Sequence, residues 1–194
     1  MIKKIAVLVS GGGTNLQALI DAGKKGGLGN GELSLVVSSV SGARALERAG
    51  AAGIKSLTIE KTGFTDAEFD RKLEEILCEH RIDLVVLAGF LCVLGARALK
   101  SFENRIINVH PSLIPSFCGK GYYGLRVHEA ALEYGVKVTG ATVHFVNEVI
   151  DGGKIILQKA VGVLPDDTPE SLQQRVMREG EWVILPQAVA MLCG

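Results

Sequence analysis

No stretch of this chain is both long and apolar enough to span a bilayer as a helix. The longest uncharged run, residues 84–96, falls short of the roughly 20 residues such a helix needs. The opening MIKKIAVLVSGGG has the charged start of a secretion signal, but its apolar part is brief and runs into glycines, so a first strand is the better reading. Neither sign of charge is in excess: Lys and Arg total 21, as do Asp and Glu. The basic surplus that nucleic acid or an anionic membrane would require is therefore missing. The cysteines at 78, 92, 118 and 193 form no C-x-x-C pair, which fits reduced thiols in a cytoplasmic protein rather than a metal or redox site. His80, His110, His128 and His144 show no ligand spacing such as H-E-x-x-H, so no metal is expected. A G-x-S-x-G elbow is absent too, which disfavours a covalent serine intermediate. No linker, repeat or low-complexity tract divides the 194 residues, and one domain covering 1–194 is expected.

What the chain does contain is regular alternation. Residues 4–10 (KIAVLVS) read as a buried parallel strand, the glycines 11–13 as a tight loop, and LQALIDAG as a helix. Strands at 32–38, 55–60 and 84–89 alternate with helices at 43–53, closed by Gly50 or Gly53, and at 64–80. The latter has Phe69, Leu73, Ile76 and Leu77 on one face. Further on come a helix at 124–134, strands at 136–146 and 155–163, and a last helix opened by Thr168 as N-cap with Pro169 behind it. The pattern predicts an α/β fold: a Rossmann-like, mostly parallel sheet with helices on both faces.

Two places carry chemistry. At the first, Gly11-Gly12-Gly13-Thr14-Asn15 joins a strand to a helix, so bare amides and the helix dipole face one point, which suits a phosphate. A Walker A lysine is missing, and Leu16 and Ser38-Ser39 stand where a dinucleotide fingerprint needs glycine and an acid. A phosphomonoester site and a plain βα turn both remain open on these residues. At the second, the strand ending RIINVHP is stopped by Pro111. Asn108 and His110, two residues apart, share a face at the sheet's carboxyl edge. A histidine that moves a proton, an asparagine that donates to an oxyanion and a carboxylate such as Asp151 in IDGG form a set suited to acyl transfer. Such a carboxylate is expected to raise the histidine pKa. Each residue alone also has an ordinary reading, a strand-end histidine and a turn aspartate. Apolar residues 90–94 are either core or the wall of a flat ligand.

The strings VSGGGTNLQ, LAGF at 87–90, INVHPSLIPSF at 107–117, TVHFV at 142–146 and IDGG at 150–153, with Glu181 and Leu185-Pro186 in the last helix, resemble the folate-dependent phosphoribosylglycinamide (glycinamide ribonucleotide) formyltransferases of purine biosynthesis. The resemblance spans nearly the whole chain. It implies the formyltransferase fold, 10-formyltetrahydrofolate as co-substrate, no metal, and direct attack of the substrate amine on the formyl carbon. It implies Asn108, His110 and Asp151 as the catalytic set, with Asp151 favouring a charged His110 imidazole through a water. Gly13, Thr14 and Asn15 would hold the phosphate and Glu181 the ribose. Leu91, Cys92, Val93, Leu94, Asn108, Asn147, Glu148, Val149, Ile150 and Asp151 would line the folate site. Small-molecule substrates, no nucleic acid, no membrane, and a monomer or homodimer are the expected partnership. Residues 115–123 are a candidate lid.

Three positions depart from the family's pattern. Cys92 replaces an arginine that meets the folate tail, Trp182 a histidine after the ribose glutamate, and Arg126 a histidine of some relatives. The rival activities are a formyltetrahydrofolate hydrolase, which usually carries an extra N-terminal domain, and a methionyl-tRNA formyltransferase, which carries a C-terminal one. The start at the first strand and the end at Gly194 are expected to disfavour both, and a non-catalytic phosphate-binding module is the alternative of another class.

Overall fold

The computed structural model describes all residues from Met1 to Gly194. Seven strands form one sheet in the order β3-β2-β1-β4-β5-β6-β7. They are β1 Lys3–Val9, β2 Gly31–Ser38, β3 Ser56–Thr58, β4 Leu84–Leu87, β5 Ile106–His110, β6 Val138–Phe145 and β7 Ile155–Gly162. The first five run parallel, whereas β6 pairs antiparallel with β5 and β7 antiparallel with β6. The expected α/β architecture is therefore present, with its antiparallel part confined to one edge.

Two apolar layers sandwich the sheet, and strand alternation sorts residues between them. Along β1, Ile5, Val7 and Val9 join one layer and Ala6 and Leu8 the other. The first layer is closed by helices α1 (Thr14–Lys24), α2 (Arg44–Ala51), α5 (Leu125–Tyr134), α6 (Pro169–Val176) and α7 (Trp182–Cys193). The second is closed by α3 (Asp66–Glu79), whose Phe69, Leu73, Ile76 and Leu77 are buried as their spacing predicts. No helix is long and apolar enough to cross a membrane.

Three local features differ from expectation or refine it. A short helix, α4 (Ala96–Ser101), follows β4 and has no signal of its own. It forms because buried Asp70 of α3 accepts the amides of Gly95 (2.9 Å), Arg97 (2.9 Å) and Ala98 (3.3 Å), acting as a remote N-cap. The last helix is not continuous: the capping box of Thr168 and Ser171 starts α6, but Met177–Glu181 is a π-helical turn that separates it from α7. Of the two glycines that could close α2, Gly53 sits just past the helix with φ +69°, the left-handed turn that favours glycine.

Candidate active site

The parallel strands turn back at β1 and β4, the switch point of the sheet, and ligand loops gather at the carboxyl ends there. Two cavities open at this edge. The larger, about 390 Å³, is bounded by residues 89–94 after β4, by 119–124 and by 146–151. The smaller, about 290 Å³, is bounded by Gly11 to Asn15, Pro111, His128 of α5, and Gln173, Met177 and Glu181. Gly89, Val109 and Gly124 line both. Alternation along the end of β5 divides them. Val109 belongs with the α1 layer, while Asn108 and His110 project to the other face and line the larger cavity.

Asn108 and His110 are held by the strand beyond them. In the β5–β6 register Asn108 lies opposite His144, and its Nδ2 is 3.2 Å from His144 Nε2. His144 Nδ1 lies 2.8 Å from the Phe145 carbonyl, which can only accept, so Nδ1 carries the proton and Nε2 accepts from the asparagine. One Asn108 N–H is thereby committed and the other remains available. His110 Nε2 donates in the same way to the Phe117 carbonyl at 2.8 Å, which leaves Nδ1 as its free nitrogen.

Asp151 reaches this pair from a turn that only its sequence permits. Asn147 Oδ1 accepts the Val149 amide at 2.9 Å, Asp151 adopts a left-handed φ of +56°, and a Cβ at Gly153 would lie 1.7 Å from the Phe145 carbonyl oxygen. The carboxylate then stands 3.6 Å from His110 Nδ1 and 3.6 Å from His144 Nε2, too long for direct hydrogen bonds and attractive only toward a ring that carries a proton on the facing nitrogen. Its bonded partner is the Gly119 amide, at 2.8 Å from Oδ2. Residues 117 and 119 of the candidate lid are thus fastened to His110 and Asp151.

Asp151 does raise the His110 pKa as expected, but the net shift is downward. Burial pushes the imidazole below its usual value; Asp151 and the bond to Phe117 pull upward without overcoming it, and His144 adds to the fall. The ring is 4% exposed, so desolvation of its charged form outweighs a carboxylate held beyond bonding distance. Burial would raise the Asp151 carboxyl, but His144, His110 and the Gly119 amide together bring it below its ordinary value. Near neutral pH, then, a neutral histidine faces an ionised aspartate.

The larger cavity contains every residue expected at a folate site: Leu91 to Leu94, Asn108 and Asn147 to Asp151. Its 90–94 wall is pinned at both ends, by the Leu91 amide on Ser10 Oγ (2.8 Å) and by Asp70 at Gly95. Leu91 and Val93 are each 68% exposed and Val149 65%, so these apolar residues are not core. Cys92 lines the cavity without a charge, and Lys120 is the one lysine or arginine in the lining.

The smaller cavity brings together the other expected set, Gly13, Thr14, Asn15 and Glu181. Gly13 is the N-cap of α1 with φ +70° and no side-chain cap, so the first amides of the helix are uncapped. A Cβ there would fall 2.7 Å from Ala45 Cβ, and the Arg48 guanidinium holds the Gly12 carbonyl at 2.9 Å, so α2 presses the loop into shape. Glu181 is 5% exposed and accepts from Asn15 Nδ2 at 2.6 Å. Burial outweighs that bond and lifts its carboxyl to about 7. It ends the π-helical turn, a distortion often found at functional sites.

Trp182 and Arg126 line neither cavity. The first faces an outer groove with Thr14, Gln17 and Arg48, and the second stacks on Tyr123 at 5.0 Å. His144, Ser10, Asp70, Gln173 and His128 are site or supporting residues that sequence reasoning missed. The TVHFV string alone held a hint of His144, and placing it opposite Asn108 needs the strand register.

Comparison with known proteins points to one family. The family model described as "Formyl transferase" matches residues 3–189. The chain is 46% identical over 192 residues to the trifunctional purine biosynthetic protein adenosine-3 of Drosophila melanogaster, covering 98% of itself and 14% of that protein. It is 40% identical to the chloroplastic phosphoribosylglycinamide formyltransferase of Arabidopsis thaliana, over 98% of itself and 65% of the relative. The chain thus spans less than two thirds of these curated relatives. Among solved structures, glycinamide ribonucleotide transformylase 1 from Symbiobacterium toebii superposes with a TM-score of 0.92 at 42% identity, over 99% of this chain and 88% of that one.

Proposed function

This chain belongs to the formyl transferase family, and from that premise we propose that it moves the formyl group of 10-formyltetrahydrofolate onto the amine of glycinamide ribonucleotide, in purine biosynthesis. The observation that supports this most is the pair of cavities meeting at Gly89, Val109 and Gly124, one walled by exposed apolar side chains and the other by the glycine loop, with Asn108 and His110 on either side of Val109 in the wall of the first. A pterin fits the first by flat apolar contact and by the backbone groups of residues 91–94 and 147–151. A ribonucleotide fits the second, its phosphate on the amides of Gly13, Thr14 and Asn15 and its ribose at Glu181. The whole of 1–194 acts as a single formyltransferase domain with small-molecule substrates, in the cytoplasm, as a monomer or homodimer.

The chemistry follows from the free atoms. The substrate amine attacks the formyl carbon, a carbon–nitrogen bond forms, and the carbonyl electron pair moves onto oxygen. The unused Nδ2–H of Asn108 donates to that oxyanion. His110 is neutral at rest and its free Nδ1 faces Asp151, so it takes the proton that the amine must lose. The imidazolium is stabilised by the carboxylate at 3.6 Å and its charge favours the nearby oxyanion; the oxyanion pair then re-forms the carbonyl, the carbon–N10 bond breaks, and the imidazolium returns the proton to N10. Formyl release measured with and without glycinamide ribonucleotide tests this. Release should require the amine; full-rate release without it would establish a hydrolase instead.

A further inference from the structure

His128 has no task in the mechanism above, yet it is the most anomalous polar residue in the protein. It sits in the first turn of α5, is 0% exposed, and neither ring nitrogen has a hydrogen-bond partner. Burying an imidazole with both nitrogens unpaired costs about 1–3 kcal/mol per lost partner, and proteins rarely keep such a group without use for it. Burial and the neighbouring His110 push its pKa down to about 4, so near neutral pH the ring is uncharged, with one N–H donor and one lone pair.

Its surroundings say what the ring meets. His128 lines the smaller cavity, whose other polar walls include Asn15, with an equally unpartnered Oδ1, and Glu181. A phosphate monoester, largely a dianion near neutral pH because its second pKa is about 6, offers mainly acceptors and would leave one imidazole nitrogen unpaired. A hydroxyl both donates and accepts, and can satisfy the histidine and a neighbour at once.

We propose that His128 is a further substrate-binding residue, whose neutral ring hydrogen-bonds a ribose hydroxyl of the sugar phosphate that fills this cavity. This rests on the proposed function for the identity of the ligand, and its test uses binding alone. Calorimetric titration of the 194-residue protein with ribose 5-phosphate, and separately with inorganic phosphate, reads the contact directly. The His128→Leu variant should bind ribose 5-phosphate about tenfold more weakly, the value of one good hydrogen bond, and inorganic phosphate as before. His128→Asn, which retains a donor and an acceptor, should recover part of the loss. Thermal stability of His128→Leu should not fall, because an unpaired polar group has been replaced by an apolar one.

Unchanged ribose 5-phosphate affinity in His128→Leu overturns the proposal, as does absence of ribose 5-phosphate binding in the unmodified protein. An equal loss for inorganic phosphate would move the contact to the phosphate and overturn the ribose assignment. If His128→Leu does not fold, His128→Asn decides, since wild-type-like affinity with thermal stability lowered would mark a structural histidine. Formyl transfer by the unmodified protein reports on the proposed function independently of these titrations.

Discussion

The two cavities are incomplete in opposite ways. The larger is walled by apolar side chains left in solvent, among them Leu91 and Val93 at 68% exposure and Val149 at 65%. The smaller is walled by polar groups withdrawn from solvent without full partners: Asn15 Oδ1, both nitrogens of His128, and Glu181 with its raised pKa. Exposed apolar area gains free energy when a flat organic surface covers it. Buried unsatisfied donors and acceptors gain when a polar ligand supplies their missing bonds. Under the proposed function, the contrast lets one sheet edge take two dissimilar substrates, with β5 as the partition between the cavities and Asn108 and His110 flanking the Val109 that lines both.

The most damaging way to break this arrangement is at the partition. Asn108→Ala should reduce turnover by roughly 10²- to 10³-fold, the usual cost of one oxyanion donor, with binding in both cavities retained. Steady-state kinetics with each substrate varied in turn checks it, and unchanged turnover would point to a non-catalytic binding module.

Next comes the carboxylate behind the histidine. Asp151→Asn should lower turnover by about 10²-fold while ribonucleotide affinity holds, because the glycine loop lies elsewhere. Since burial already depresses the His110 pKa and Asp151 opposes that fall, removing the charge should move its titration to still lower pH. An NMR titration of the ring that stayed in place would dissolve the pairing.

Glu181→Gln sharpens the polar half. The carboxyl of Glu181 rises to about 7 in the fold from an ordinary value near 4.5, so the folded state favours its proton. Its contribution is intact below about pH 4.5, declines between there and about 7 as the unfolded chain releases the proton first, and stays lost above. The glutamine variant should match the parent in acid and exceed it by up to about 3 kcal/mol above pH 7, as measured by urea unfolding across pH. The same variant should bind ribonucleotide less well. A pH-independent difference in stability would contradict a buried, proton-sharing Glu181.

The smallest effect is expected from the apolar half. Replacing Leu91 and Val93 together by serine removes part of the surface offered to the pterin and should raise KM for the formyl folate about tenfold, with KM for the ribonucleotide unchanged. A matching rise for both substrates would mean that the cavities are not separate.

The βα alternation was legible from short apolar runs and turn residues, because strand and helix periods are local. The glycine loop was legible as a possible phosphate site from three glycines before a helix. Its shape was not, since Ala45 and Arg48 of α2 press on it from 30-odd positions away in the chain. Asp70 shows the same gap: on its own helix it is one more polar residue, and only in three dimensions does it cap α4 and anchor the 90–94 wall. The π-helical turn before α7 was equally hidden, because Met177–Glu181 carries no helix breaker apart from Gly180.

By itself, then, the sequence determined which residues are candidates: a strand halted by Pro111 so that Asn108 and His110 emerge together, and a turn in which Asp151 is followed directly by Gly152 and Gly153. Those are consequences of backbone sterics over a few residues. Tertiary structure decided how they are held. Strand register set His144 against Asn108, the 117–119 backbone took one nitrogen of His110 and one oxygen of Asp151, and burial drew the histidine to its neutral form. Hydrogen-bond partners and desolvation depend on what the rest of the chain packs against a residue, and no local pattern contains that.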